Sequence, residues 1–300
     1  MDRLVVAPKI VVYKNVFNDI KNIFDLLKET EGYTERNGLV DPWNDWAGNW
    51  LGRSVKIEND FYTINDSDSD DLKRQKSAVN EIRTVFLDVF SDYMSMYKED
   101  SDWPYFVDEW DDFSKLPWGQ GDSIDVLKYN KDQPEGLQHH PVAMNYHTDY
   151  NNFDEDSEGE KLVVTITVYL NNDYEGGEIS LYDPNTEKVY HYKPKAGDVT
   201  VFPSGMNYYH GVLPFTGNDR YLLRMFRVYY HEGADSWHKS REVYGADVWA
   251  EMERKRLEDV WRDGKNLVNM VFPGKTPFNN RIGTIYVKED PIFIDGTKDA

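Results

Sequence analysis

The spacing of apolar residues in the first part of the chain is helical. Apolar side chains recur every three or four positions over residues 17–27 and again over residues 79–97, which predicts two amphipathic helices. Asn15 is a candidate N-cap for the first helix. An acidic run at residues 66–71 places carboxylates at the start of the second helix, where they stabilise the helix dipole.

The regions around these helices give weaker patterns. Residues 4–13 predict a first strand, and the stretch 32–62, rich in Gly, Asn and Trp, predicts an irregular loop. Near the end of the chain, residues 246–262 predict a charged helix and residues 271–300 an extended tail. Most of the remaining regular structure is therefore expected in the middle of the chain.

The apolar pattern changes to strand spacing from about residue 122. The strongest run, residues 162–170, is dense in β-branched side chains, and Gly, Pro or Asn separates most of the runs around it. Short strands at this spacing predict a sandwich or barrel, so the expected fold class is mainly β with flanking helices (α+β). The other predicted strands are 124–129, 178–182, 189–192, 199–202, 208–212 and 220–230.

This change of pattern divides the chain into three regions. We expect a supporting region of helices and a strand over 1–122, a β core over 123–231, and a C-terminal helix with its tail over 232–300. A chain of 300 residues is long enough to bury a large core, and we expect the three regions to form one compact domain.

The composition excludes several classes of function. A net charge of −20 argues against a nucleic-acid binder and leaves basic segments as candidate partners. The absence of Cys excludes disulfides, thiolate metal sites and Cys nucleophiles. Because the sequence contains neither a signal peptide nor an apolar run long enough to span a membrane, we expect a soluble cytoplasmic protein.

The triplet His147-Thr148-Asp149 is the first candidate for chemistry. Residues two apart on an extended segment point the same way, so His147 and Asp149 can reach one metal ion. His210, which closes a predicted strand and precedes Gly211, is a candidate third ligand. Two neutral imidazoles and one carboxylate leave open coordination positions, which suits a non-haem Fe(II) oxygenase.

Arg220 begins an otherwise apolar strand ten residues after His210. A buried guanidinium requires an anionic partner, and two parallel hydrogen bonds suit a carboxylate. From the residue alone, a structural ion pair with one of the many acidic residues remains an equal alternative. Arg224 shares the strand face of Arg220, and either a substrate contact or an ion pair would explain it.

Together these residues resemble the Fe(II)/2-oxoglutarate-dependent dioxygenases, specifically their prolyl 4-hydroxylase-like branch. The pattern His-x-Asp … His-x(10)-basic is matched by His147, Asp149, His210 and Arg220. Residues 169–178 resemble the family's Tyr-Leu-Asn … Gly-Gly-Glu hairpin, and residues 194–202 resemble its Pro-x-x-Gly-Asp turn and following strand. The resemblance covers roughly residues 123–230, and the flanks carry no matching motif.

The resemblance implies a double-stranded β-helix (a jelly-roll core) with a metal at its open end. It implies that Fe(II) is ligated by His147, Asp149 and His210. It also implies that Arg220 pairs with the distal carboxylate of 2-oxoglutarate, that the Tyr169 hydroxyl assists there, and that Tyr129 reaches the same co-substrate.

The activity implied by the resemblance is hydroxylation of an unactivated C–H bond, with O2 and 2-oxoglutarate consumed and succinate and CO2 released. Ascorbate is a candidate reductant. Peptidyl proline is the favoured substrate, so the expected partner is a peptide or protein that contains proline or is basic. A free amino acid, another small molecule or a different protein side chain are alternative substrates. A cupin-like barrel that binds metal or ligand without oxidising it is the alternative from another class.

Overall fold

A computed structural model describes residues 1–28, 33–35, 52–57, 62–97, 124–129, 131, 143–149, 160–205, 207–230, 267–278 and 283–297. Within these ranges the chain forms seventeen strands and two helices. The mainly β fold with flanking helices is therefore confirmed.

Eight strands form the larger sheet, and each neighbouring pair is antiparallel. In spatial order they are β1 (Asp2–Ala7), β2 (Ile10–Lys14), β11 (Val199–Pro203), β7 (Glu160–Tyr169), β14 (Arg220–Tyr230), β5 (Ile124–Tyr129), β4 (Gly52–Ile57) and β3 (Tyr33–Glu35). The longest strands, β7 and β14, lie at the centre of this sheet.

Seven strands form the second sheet. In spatial order they are β16 (Gly283–Tyr286), β15 (Leu267–Val271), β6 (Met144–His147), β12 (His210–Val212), β9 (Ile179–Asp183), β10 (Lys188–Lys193) and β17 (Ile292–Asp295). The pairs β15–β16 and β10–β17 are parallel, and the others are antiparallel. Two short strands, β8 (Tyr174–Gly176) and β13 (Phe215–Gly217), pair separately.

The two sheets face each other across an apolar core, as in a jelly roll. One cluster of buried residues joins their inner faces, with Tyr169 and Leu222 from the larger sheet meeting Ile179 and Leu181 from the smaller one. On the outer face of the larger sheet, a second cluster packs against helices α1 (Ile20–Lys28) and α2 (Asp70–Tyr97). Each fully buried aliphatic side chain in such a core stabilises the fold by about 2 kcal/mol.

The alternation of side chains along β7 separates these two surfaces. Ile166 and Val168 point towards the helices, whereas the inner face carries Thr165, Thr167 and Tyr169. Hydroxyl groups therefore line the inner face of a strand that the sequence describes only as dense in β-branched side chains. The functional residues described below lie on this side of the sheet.

Three predictions about the flanks are wrong. Residues 4–13 form two strands of a hairpin, because Lys9 adopts a left-handed backbone conformation (φ 63°) that reverses the chain. The stretch 32–62 contributes β3 and β4 to the larger sheet, so it is not wholly irregular. The tail contributes β16 and β17 to the smaller sheet. Strands from all three predicted regions thus share the two sheets.

The start of α1 also differs from the prediction. Asp19 caps the helix, since its Oδ1 accepts a hydrogen bond from the backbone N–H of Asn22 (3.0 Å). Asn15 instead lies four residues earlier with a positive φ of 55°. Ser69 caps α2 in the same way, through a hydrogen bond from the N–H of Leu72 (3.2 Å).

The predicted helix at 246–262 lies outside the described residues. Neither described helix is long and apolar enough to cross a membrane.

Candidate metal centre

Three of the predicted site residues meet at one end of the smaller sheet. β6 ends at His147 and β12 begins at His210, and the two residues are direct partners in the antiparallel pairing. Asp149 follows two residues after His147, and its Oδ1 lies 3.5 Å from His147 Nε2. Its Oδ2 lies 3.4 Å from His210 Nε2. One candidate ligand atom from each residue lies within 4.8 Å of the other two.

The surroundings hold this triad (His147, Asp149 and His210) in forms that ligate metals. His147 Nδ1 donates a hydrogen bond to the carbonyl oxygen of Asn145 (2.8 Å), which leaves the lone pair of Nε2 free. Burial lowers the pKa of His210 to about 4, so its imidazole is neutral at physiological pH. Burial alone would raise the pKa of Asp149, but the neighbouring His210 and His147 hold it well below its usual range, so the carboxylate is ionised.

The triad is enclosed by protein. Its side chains are 4–9% exposed, and the ring of Phe202 packs 4.7 Å from that of His210. Two imidazole nitrogens and one carboxylate oxygen form a donor set that suits Fe(II) and leaves coordination positions open. The residues present therefore fit an iron ion.

Gly211 sets the spacing between the two histidine strands. A Cβ at this position would lie 2.8 Å from the carbonyl oxygen of Met144 on β6, closer than real Cβ contacts. We expect Gly211→Ala to push β12 from β6 and to weaken Mn(II) binding by the metal-free protein roughly tenfold. Titration of the chelator-treated protein with Mn(II), followed by EPR, measures this.

The control for this variant is Gly283→Ala on β16 of the same sheet. There the nearest atom is a side-chain methyl of Val268 at 3.3 Å, which can move aside. Equal Mn(II) affinity for Gly211→Ala and wild type would contradict the assigned role of the strand spacing.

Arg220 lies in a pocket of aromatic rings between the sheets. The side chain is 1% exposed, and its guanidinium carbon lies 4.8 Å from the ring centre of Tyr129 and 5.3 Å from that of Tyr169. Tyr129 is the direct cross-strand partner of Arg220. Both predicted tyrosines are therefore next to the predicted anchor.

Several polar groups of this pocket lack hydrogen-bond partners. Arg220 Nε and Nη1 are buried without hydrogen-bond partners, and so is the hydroxyl of Tyr174. Burial raises the pKa values of Tyr129, Tyr169 and Tyr174, so all three stay protonated at neutral pH.

Such an arrangement is costly without a ligand, because an uncompensated buried charge destabilises a protein. Although burial lowers the pKa of Arg220, the facing tyrosine oxygens, chiefly that of Tyr174, raise it overall, so the guanidinium keeps its charge. A cation with free donors beside a phenol hydroxyl fits a carboxylate of 2-oxoglutarate. The pocket therefore suits the implied co-substrate.

The inner face of β7 connects the pocket with the triad. Thr165 donates a hydrogen bond to Asp149 at one end, and Tyr169 contacts Arg220 four residues further on. Four residues of extended strand span about 13 Å between Cα atoms. A ligand anchored at Arg220 would extend along this face towards the triad.

Arg224 forms an ion pair in the structure. Its Nη2 lies 3.1 Å from Oδ2 of Asp125, its cross-strand partner, and its guanidinium carbon lies 4.3 Å from the ring centre of Phe226. The side chain is 20% exposed, unlike that of Arg220. Of the two explanations left open by the sequence, the ion pair is the one observed.

Sequence reasoning missed three polar contacts of this site. Tyr174 faces Arg220, and the hydroxyls of Thr165 and Ser204 lie behind Asp149. Tyr174 stands inside the hairpin that carries the family resemblance, so it could have been noticed there. The two hydroxyl residues stand in predicted strands or turns, and no sequence signal distinguishes them.

Comparison with known proteins finds a family match for the central region. Residues 136–228 match the model of the 2OG-Fe(II) oxygenase superfamily. No curated protein sequence matches the chain. The matched region contains the triad, Tyr169 and Arg220, whereas Tyr129 precedes it. The resemblance stated from the sequence is thus confirmed at the level of the superfamily, whose cofactors are Fe(II) and 2-oxoglutarate.

The chain is also similar to solved structures at low identity. A prolyl hydroxylase from Trichoplax adhaerens, in complex with a hypoxia inducible factor peptide, is 16% identical (74% of this chain, 83% of that one, TM-score 0.43). The viral collagen prolyl hydroxylase of Paramecium Bursaria Chlorella virus-1 is 13% identical (73% and 95%, TM-score 0.42). The dioxygenase for auxin oxidation 1 of Arabidopsis thaliana is 12% identical (76% and 86%, TM-score 0.46). The match over residues 136–228 is what links this region of the chain to the superfamily.

Proposed function

We propose that this chain, whose residues 136–228 carry a 2OG-Fe(II) oxygenase domain, is a dioxygenase that hydroxylates peptidyl proline. His147, Asp149 and His210 hold Fe(II), and Arg220 anchors 2-oxoglutarate. The observation that carries the proposal is the combination of two buried features on one inner face. One is a two-imidazole, one-carboxylate triad, and the other is a guanidinium with unpartnered donors.

Each residue has a definite task in this proposal. Asn145 fixes the ring of His147 with Nε2 towards the metal, and burial keeps His210 neutral and ready to ligate. Arg220 and Tyr174 bind the distal carboxylate, while the rings of Tyr129 and Tyr169 exclude water around it. When bound, Fe(II) with 2-oxoglutarate and O2 supplies the oxidising chemistry that protein side chains lack.

The substrate part of the proposal comes from the sequence. The spacing of the triad and Arg220, with the Tyr-Leu-Asn … Gly-Gly-Glu segment at 169–178, resembles the prolyl 4-hydroxylase-like branch. A net charge of −20 favours a peptide with basic residues near the proline, because opposite charges accelerate the encounter. The proposed partner is therefore a basic, proline-containing peptide or protein.

We expect the protein to release succinate slowly with Fe(II), 2-oxoglutarate and oxygen alone, and faster when a suitable peptide is added. A panel of proline-containing peptides with basic or acidic flanks should give a mass shift of +16 Da (one oxygen atom) on proline, most strongly in the basic set. Coupled measurement of succinate and peptide mass tests both parts of the proposal.

Peptides with each proline replaced by alanine are the matched controls. Oxidation of the alanine peptides, or of free amino acids in preference to peptides, would move the substrate to one of the alternatives named from the sequence. Metal binding with no succinate release under any condition would favour a non-catalytic, cupin-like barrel.

A further inference from the structure

Two hydroxyl groups form a chain of hydrogen bonds behind Asp149. Thr165 Oγ1 lies 2.6 Å from Asp149 Oδ2, a length typical of a hydroxyl donating to an ionised carboxylate. Ser204 Oγ lies 3.0 Å from Thr165 Oγ1. The direction follows from proton count, since the only hydroxyl hydrogen of Thr165 goes to the carboxylate and Ser204 must donate to Thr165.

The burial of both hydroxyls makes this chain of bonds obligatory. Thr165 is 1% exposed and Ser204 is fully buried, and a buried hydroxyl without a partner costs free energy. Thr165 faces the core between Phe202 on β11 and Phe226 on β14, its cross-strand neighbours. A valine would suit such surroundings at least as well, so the hydroxyl requires an explanation beyond packing.

Asp149 needs a support that the sheet does not provide. It lies two residues past the end of β6, so the strand pairing that positions His147 does not position its carboxylate. Thr165 lies on β7 of the larger sheet, and Ser204 follows directly after β11, the strand that neighbours β7. The hydroxyl chain therefore fixes the carboxylate from the opposite wall of the barrel.

We propose that Thr165, supported by Ser204, is a positioning residue that holds Asp149 Oδ2 and leaves Oδ1 as the oxygen offered to the metal. This inference rests on the proposed function, which assigns Asp149 to the metal. A carboxylate that binds through one oxygen occupies one coordination position instead of two. The hydroxyl chain thereby keeps a position open for co-substrate or oxygen, and it aligns the ligand before the metal arrives.

Thr165→Val tests this, because it removes the hydroxyl and keeps the shape. We expect Mn(II) affinity of the metal-free protein to fall roughly 10- to 100-fold. The visible spectrum of the Co(II) protein should also change, because the Asp149 carboxylate is then no longer held to binding through one oxygen. Thr165→Ser, which keeps the hydroxyl, should recover most of the affinity and the wild-type spectrum.

Thr167→Val is the matched control. Thr167 is on the same face of β7, two residues further on, and its buried hydroxyl has no hydrogen-bond partner. The Thr167→Val variant should bind Mn(II) with the affinity of the wild type. Equal Mn(II) affinity for Thr165→Val and wild type, or an equal loss in Thr167→Val, would overturn the proposal.

Two further readouts separate this inference from the proposed function. If Thr165→Val fails to fold, Ser204→Ala takes its place. We expect this variant to lose Mn(II) affinity several-fold, and an unchanged Mn(II) affinity would count against the hydroxyl chain. If the wild type releases succinate but neither substitution changes the Mn(II) affinity, the proposed function stands and the positioning role is rejected. If both substitutions lower the Mn(II) affinity but the wild type releases no succinate, the positioning role stands and the proposed function is rejected.

Discussion

Replacing His147 with alanine is expected to abolish both metal binding and succinate release. The variant leaves one imidazole and one carboxylate, and the loss in Mn(II) affinity should exceed the roughly 100-fold that removal of a supporting partner causes. Succinate release in the presence of Fe(II) should fall to the level of the chelator-treated wild type. Mn(II) titration and a succinate assay on the same preparations measure the two effects.

His191→Ala is the control for this variant. His191 is a half-buried imidazole on β10 of the same sheet, its pKa is lowered to about 4 by burial, and its ring packs edge-on against Phe272 (5.9 Å). Its removal should lower thermal stability but leave Mn(II) affinity unchanged. Succinate release by His147→Ala at the wild-type rate would remove the triad from the chemistry.

The central strands could be predicted because local and global signals agree there. Residues 220–230 and 124–129 were predicted with the observed bounds, since β-branched and aromatic runs there are bounded by turn residues. β7 has the same character, and it begins at residue 160 and ends at residue 169 where 162–170 is predicted. In these segments the local sequence pattern predicts a strand without any knowledge of which distant strand it pairs with.

The flanks depended on information that a local pattern does not contain. The reversal between β1 and β2 requires Lys9 to adopt a positive φ, which is uncommon for a residue other than Gly. β17 pairs in parallel with β10, far earlier in the chain, and β16 pairs in parallel with β15, so their short apolar runs could not be distinguished from an extended tail.

The same distinction between local pattern and distant contact applies to the residues of the candidate site. The sequence pattern singles out the triad and Arg220, and in the structure His210 and His147 are direct partners where their two strands pair. The contacts of Thr165 and Ser204 with Asp149 cross from one sheet to the other, and hydroxyl residues are too common in strands to be singled out. The candidate ligands could thus be named from the sequence, whereas the groups that contact them required the structure.

Arg220→Ala is expected to raise the KM for 2-oxoglutarate while leaving Mn(II) affinity intact. The lost charged hydrogen bonds are worth about 3 kcal/mol, which corresponds to roughly a hundredfold higher KM. Arg220→Lys keeps the charge but not the two-donor edge, so its KM should lie between those of Ala and wild type. Succinate release at varied 2-oxoglutarate measures the series, and Mn(II) titration of each variant shows that the triad is undisturbed.

Arg224→Gln provides the comparison that makes this result decisive. Arg224 shares the strand face of Arg220 but is already paired with Asp125, so its replacement should affect stability more than the KM for 2-oxoglutarate. Both Nε and Nη1 of Arg220 are without a partner and the Tyr174 hydroxyl lies beside them, whereas Arg224 is unpartnered only at Nε and donates through Nη2 to Asp125, so Arg220 is the better candidate anchor. A large rise in KM for Arg224→Gln with an unchanged value for Arg220→Ala would transfer the carboxylate site to Arg224 and contradict the assignment of the pocket.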